Sequence, residues 1–333
     1  MKNKKLIISI FILLFIGIIA VDVIYLQDDY YEGKFFKMDT NISIYGKGTN
    51  MDLATRDILK EIDRIDDEMN ARKVGSTLYM LNNSENKTIK ADKETIKLLD
   101  LAKEINTNSN GAFNVAIKPV VDLWGFGGNY KKVPNDEEIK KAVNIVQNTE
   151  IFLNETEIVL SNGEIDLGGI AKGYASDKSR EILKKHKVEY AVLDFGGNIV
   201  TYGVKPDGKK FNIGIDDGKD GIFASVLVGE TCVVTSGGYE RYFEENGKKY
   251  HHLLNPETGY PAENGLISVT VISENGALAD ALSTACFVLG EEKGSVLAEK
   301  YNVAAVFLND DKSVKVVGEL EITIDEENYT LKK

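Results

Sequence analysis

From residue 149 onward the chain is a succession of short β-type runs separated by turns: "EIFLN", "EIVLS", "AVLDF", "NIVTYGV", "KFNIGID", "FASVLVG" and "CVVTS". A helix over roughly 172 to 187 interrupts them. Another begins near Ala277 and runs to about Leu289, where Gly290 can stop it. A further helix and two strands follow. Strand runs broken by helices, without regular βαβ alternation, predict an α+β fold. Upstream, residues 52 to 70 read as an amphipathic helix with Ile58, Ile62, Ile65 and Met69 on one stripe. Residues 93 to 105 and 136 to 146 read as two more, the second opened by "PNDEE". "MDTNISIYG" alternates like a strand after a short polar stretch, "QDDYYEGK". No fixed-period repeat and no low-complexity segment is present.

The N-terminus carries a separate signal. Lys2, Lys4 and Lys5 precede the apolar run 6 to 26, "LIISIFILLFIGIIAVDVIYL". About 20 mostly apolar residues suffice to span a bilayer, and the positive flank places the N-terminus in the cytoplasm. The expected organisation is therefore a cytoplasmic stub (1–5), a single transmembrane signal-anchor (6–26) and an extracytoplasmic domain (27–333). No cysteine follows the run to accept a lipid, and no clear small-x-small cleavage site is present. The 333 residues carry a net charge of -12. Such a surface repels nucleic acid, whose binding rests on Lys and Arg. It still admits a phosphate-bearing small ligand where a metal reverses the local field. Cys232 and Cys286 each lie in an apolar run and read as small core residues rather than a disulfide framework or a zinc site.

Several segments have chemistry-bearing residues. "GAFNVAIKPVVDLWGFGG", 111 to 128, holds the only tryptophan, Trp124, followed by Gly125 and Phe126. Aromatics between glycines can bracket a flat ring, or the tryptophan can cap a loop from the core. "IDLGGIAKGYASD", 165 to 177, places Asp166, two glycines and Lys172 at a strand end before a helix. That turn either faces phosphate or metal or serves packing, and it is not a P-loop. "VLDFGGN" and "TSGGYERYF" each end a strand in a Gly-Gly turn. Asp194 there is either functional or holds turn amides, and Arg241 and Tyr242 either line a pocket or take surface positions. In the helix "GALADALSTACFVLG", Asp280, Ser283 and Thr284 share one face at i, i+3, i+4. Their oxygens suit a hard cation such as Mg²⁺, or they complement the helix's own backbone. In "YHHLLNPETGYP", strand alternation puts His251 and His252 on opposite faces, so only one can serve a given pocket.

These motifs, in this order over residues 35 to 290, resemble those of the ApbE family, the FAD:protein FMN transferases. The resemblance implies an ApbE-like α+β fold with a T-fold-related core. It implies Mg²⁺-dependent transfer of FMN from FAD to a Ser or Thr hydroxyl of a partner flavoprotein, within a Ser/Thr-Gly-Ala-Ser/Thr-like segment, with release of AMP. Carried over by motif, Asp280 and Thr284 match the metal-binding helix, Ser283 stands at an occasional ligand position, and the Gly169 carbonyl takes another metal contact. Met38, Trp124, Gly125, Phe126, Asp166, Lys172 and Leu254 fall where the family contacts FAD. His252 matches the base, leaving His251 to packing or the surface. Asn255 stands where relatives often carry Asp. A Mg²⁺-dependent FAD pyrophosphatase would use the same site. A non-catalytic FAD-binding surface protein would need the pocket alone.

Overall fold

The computed structural model describes residues 30–128, 130–219 and 221–332. The expected anchor at 6–26 lies outside them. Among the described residues no helix is long and apolar enough to cross a membrane.

The elements run β1 (Tyr30–Lys37), β2 (Thr40–Lys47), α1 (Met51–Met69), α2 (Thr77–Asn83), β3 (Thr88–Lys90), α3 (Lys93–Asn108), α4 (Lys118–Trp124), α5 (Asp136–Gln147), β4 (Ile151–Leu153) and β5 (Glu157–Leu160). Then come α6 (Ala171–Lys185), β6 (Tyr190–Asp194), β7 (Asn198–Gly203), β8 (Phe211–Asp216), β9 (Ile222–Val228), β10 (Thr231–Gly237), β11 (Tyr242–Glu245) and β12 (Lys248–His251). The chain continues with β13 (Leu266–Ser273), α7 (Gly276–Lys300), β14 (Ala304–Asn309), β15 (Ser313–Val317), β16 (Ile322–Ile324) and β17 (Thr330–Leu331).

A nine-stranded sheet in the order β1-β2-β6-β7-β10-β13-β14-β15-β17 forms the spine. Each neighbouring pair is antiparallel except β15 with β17. Both faces are buried, and the strand period of two shows why. Cys232 and Val234 of β10 and Ala305 and Phe307 of β14 point into the core shared with α1, α6 and α7. Val233, Val306 and Leu308 point the other way, against Phe211, Ile213 and Val226 of the small sheet β16-β9-β8. The α+β expectation is met as a layered mixed fold. The small sheet β3-β5-β4 and α3 pack into the same main core through Ile96, Leu99, Ile105, Ile158 and Leu160, while α4 and α5 hold a satellite core of Trp124, Val120, Ile139 and Val146.

Local details follow from the residues. Ile58, Ile62, Ile65 and Met69 of α1 are all buried, as their stripe requires. Asn135 and Glu138 form a reciprocal capping box at the start of α5. Gly290 interrupts α7 with φ 81 and ψ 172, so the segment is two helices across a kink. The polar stretch before Met38 is not a linker. Residues 30–37 form β1, because every residue pairs with β2 across a two-residue turn. Both cysteines are buried core residues.

Candidate active site

One cavity of about 790 Å³ opens where the turns of the spine sheet meet α6, α7 and the satellite core. That volume suits a ligand of cofactor size. It is walled by turns: the β1–β2 hairpin tip, the loop after α1, the 166–172 turn, the β6–β7 turn, the 235–241 segment, residues 252–256 and the first turns of α7.

Of the twelve residues that the family resemblance assigns to the site, nine line this wall: Met38, Phe126, Asp166, Gly169, Lys172, His252, Leu254, Asp280 and Thr284. The structure does not bring the other three to it. Trp124 is fully buried, and its indole N–H donates to the Gly259 carbonyl at 2.7 Å. It packs on Phe243 and Tyr250, so it braces the histidine segment from behind. Gly125 is the left-handed cap of α4. A Cβ there would lie 1.9 Å from the Tyr130 carbonyl oxygen, so close packing explains the glycine. Ser283 is fully buried, its hydroxyl donating to the Asp280 carbonyl at 2.9 Å and lying 2.8 Å from Ser236 Oγ.

The oxygen-rich wall is built by two helices that clasp each other. Asp177 of α6 accepts the first N–H groups of α7, from Gly276 and Ala277. In return Asp280 of α7 accepts the N–H of Gly173 at 2.8 Å. Gly173 and Gly276 allow this approach, since a Cβ on Gly173 would meet the Gly276 carbonyl oxygen at 2.1 Å. Asp280 is 2% exposed, and its other carboxylate oxygen stands 3.6 Å from Lys172 Nζ. Thr284 Oγ1 lies one turn on, facing Gly169. The Asp280 carboxylate and the Thr284 hydroxyl lie beside the Gly169 backbone, and oxygen donors of this kind fit a hard cation that keeps water and phosphate in its remaining positions. Among the described residues no group of three or more His, Cys, Asp or Glu side chains is placed to hold a metal.

The two histidines part company. β12 ends at His251, whose Nε2 lies 3.2 Å from the Ala262 carbonyl and whose ring meets Phe287 edge-on. It is a packing residue. His252 follows the strand and faces the cavity. Its backbone N–H and its Nδ1 both approach the Arg241 carbonyl, at 3.0 and 3.2 Å. A carbonyl only accepts, so Nδ1 carries the proton and Nε2 keeps a free lone pair. Burial, with the Arg241 guanidinium adding to it, pushes the imidazole pKa down to about 3. The ring is therefore neutral at pH 7, as a proton acceptor must be. Asn255 holds its turn by accepting the Glu257 N–H.

Asp166 is fixed on every side. Its Oδ1 accepts the Gly168 N–H, its Oδ2 pairs with Arg72 at 2.6 Å, and its N–H donates to the Val115 carbonyl. Arg72 also binds Asp122, and Gly127 packs against its guanidinium. Sequence reading missed Arg72, because "NARKVGS" has no period or motif to mark it. It also missed Glu240, which opens to the cavity's water yet is walled by protein on most sides. Burial pushes its carboxyl up to about 7, against the pull of Lys172. Arg241, weighed between a pocket wall and the surface, lines the cavity and donates to the Asp39 carbonyl at 3.0 Å. Its signal was its place beside the Gly-Gly turn. Asp194 does both things weighed for it: it accepts the Gly197 N–H and lines the wall.

A neutral imidazole, side-chain oxygens of Asp280 and Thr284 and three cationic side chains, Arg72, Lys172 and Arg241, share one cavity, a lining that suits a phosphate-bearing ligand. The ApbE family model matches residues 37–307. A curated FAD:protein FMN transferase of Klebsiella pneumoniae is 34% identical over 271 residues, covering 79% of this chain and 84% of that one. Its counterpart in Treponema pallidum is also 34% identical, covering 74% of each chain. The crystal structure of the ApbE protein from Thermotoga maritima, 32% identical, superposes with a TM-score of 0.79 over 88% of this chain and 96% of that chain. The chain belongs to the ApbE family.

Proposed function

We propose that this protein is an FAD:protein FMN transferase that uses FAD as substrate and a Ser or Thr hydroxyl of a partner flavoprotein as acceptor. The observation that carries the reading is the placement of a neutral, tautomer-fixed His252 on the same cavity wall as the Asp280–Thr284–Gly169 oxygen cluster. Relatives that cover most of this chain carry the transferase name.

The acceptor hydroxyl has a pKa far above 7, so its attack needs a base. His252 Nε2 takes the hydroxyl proton. The hydroxyl oxygen forms a bond to the FMN-side phosphorus as the bond from that phosphorus to the bridging oxygen breaks, and AMP leaves with the bridging oxygen. Lys172 and Arg241 supply positive charge toward the phosphates, and Asp166, held by Arg72, offers a fixed acceptor to donors on the nucleotide. Mg²⁺ bound by Asp280, Thr284 and the Gly169 carbonyl would neutralise pyrophosphate charge. The catalytic domain would work outside the membrane, held there by the 6–26 segment, on an acceptor with a Ser/Thr-Gly-Ala-Ser/Thr-like stretch.

The test is incubation of the purified protein with FAD and Mg²⁺, with and without a candidate acceptor. Acceptor-dependent loss of FAD and a flavin-labelled acceptor support transfer. FMN and AMP released at the same rate whether or not acceptor is present would mean hydrolysis instead.

A further inference from the structure

The turn joining β1 to β2 is built against its own chemistry. Lys37 pairs with Thr40, leaving a two-residue loop, Met38–Asp39. Both residues are left-handed, with φ of 51 and 55. That geometry matches strand twist and is filled at least cost by Asn-Gly. Methionine has a Cβ and no short polar group to bond locally, so it resists the left-handed region. Strain of this kind persists only where surrounding structure enforces it.

The enforcing contacts can be named. Thr40 sits against Gly196, where a Cβ would come within 2.0 Å of Thr40 Oγ1. From the opposite wall, Arg241 Nη2 donates to the Asp39 carbonyl at 3.0 Å. The carbonyl of the same residue accepts the backbone N–H of His252 and receives its Nδ1. One residue thus ties the hairpin tip bearing Met38 to the imidazole across the cavity mouth.

We propose that Arg241 is a positioning residue: its guanidinium latches the strained Met38–Asp39 turn over the cavity, while its carbonyl fixes the orientation of His252. The turn and the base are then held in register by one side of the mouth. Functionally this rests on the transferase reading, through the FAD contact expected of Met38. The latch itself is a property of the ligand-free protein. The guanidinium beside His252 also opposes protonation of the ring.

Amide hydrogen exchange on the full-length protein without FAD tests the latch directly. Arg241→Gln should speed exchange in residues 38–41 by about tenfold or more, since the turn then opens locally. The melting temperature should change little. In steady-state transfer the same variant should raise KM for FAD by about tenfold, the larger part of the effect falling on KM and not on kcat. Asp39→Gly in the Arg241→Gln background should bring exchange at 38–41 back toward the parental rate, because glycine adopts positive φ freely. Exchange at 38–41 unchanged in Arg241→Gln overturns the latch whatever the activity does. Exchange at 38–41 that Asp39→Gly leaves as fast as in Arg241→Gln overturns the strain argument. Faster exchange in a protein that transfers no FMN keeps the latch and rejects the transferase reading.

Discussion

Gly173 lies where α6 and α7 touch, and alanine at this position tests whether that contact builds the oxygen wall. A Cβ would stand 2.1 Å from the Gly276 carbonyl oxygen and 2.7 Å from Asp280 Cβ. Ordinary contact begins near 3.4 Å, so the helices must part by about 1.3 Å. The obstacle is backbone, which no rotamer change relieves. Overpacking of this kind costs about 1–3 kcal/mol. Separation also stretches the Gly173 N–H bond to Asp280, and an under-satisfied buried acceptor costs a further ~1–3 kcal/mol. For a domain of this size, about 2–4 °C is lost per kcal/mol. Gly173→Ala should therefore lower the melting temperature by about 4–24 °C and move Asp280 relative to Gly169. Scanning calorimetry and a Mg²⁺ titration of FAD-consuming activity read the two effects. The control is Gly229→Ala, whose Cβ would meet nothing within 4 Å. It should melt within a degree or two of the parent. A Gly173→Ala protein with parental melting temperature and parental Mg²⁺ dependence would refute the close helix contact.

Other substitutions separate the roles of the wall. His252→Asn should reduce FMN transfer by about 10²–10⁴ while FAD binding, read by flavin fluorescence, persists. His252 also predicts a pH effect on stability. Its folded pKa, about 3, lies below the ordinary 6.5, so the unfolded chain binds the extra proton between those values. The stability it contributes is full above pH 6.5 and is lost as pH falls toward 3. Urea midpoints at pH 7.5, 5.5 and 4.5 should fall less steeply in His252→Asn than in the parent. Asp166→Asn should weaken FAD binding about tenfold, and Arg72→Gln should add little in the double variant, because the pair acts as one unit. Burial pushes both Cys232 and Cys286 up to about 12, so neither should react with a thiol reagent until the protein is unfolded.

The fold was legible where periodicity was long. The α1 stripe, the "PNDEE" cap and the strand run from 149 each carried a local signal, and Gly290 ended its helix as read. β1 was missed because its aromatics come in adjacent pairs, Tyr30–Tyr31 and Phe35–Phe36, so the sequence does not alternate, and pairing with β2 makes it a strand. In the site, His252, Asp280 and Thr284 were legible as residue types in motifs. Their juxtaposition was not, since it depends on Gly173 and Gly276 letting two helices touch. Strand alternation separated the histidines for nearly the right reason. The strand ends at His251, and it is the Arg241 carbonyl, not the pleat, that aims His252. Trp124 drew attention as a ring-bracketing residue, but its indole N–H finds its partner at Gly259, inside the protein. Arg72 and Glu240 owe their places to tertiary pairing alone, which no spacing along the chain records.

The central claim is that a hydroxyl activated by His252 captures the FMN half of FAD. Mass spectrometry of an acceptor flavoprotein, incubated with the protein, FAD and Mg²⁺, tests it most directly. The account predicts a phosphoester-linked FMN on one Ser or Thr of the acceptor, formed with the parent and absent with His252→Asn. An unmodified acceptor alongside free FMN and AMP, or equal labelling by the His252→Asn variant, would contradict it.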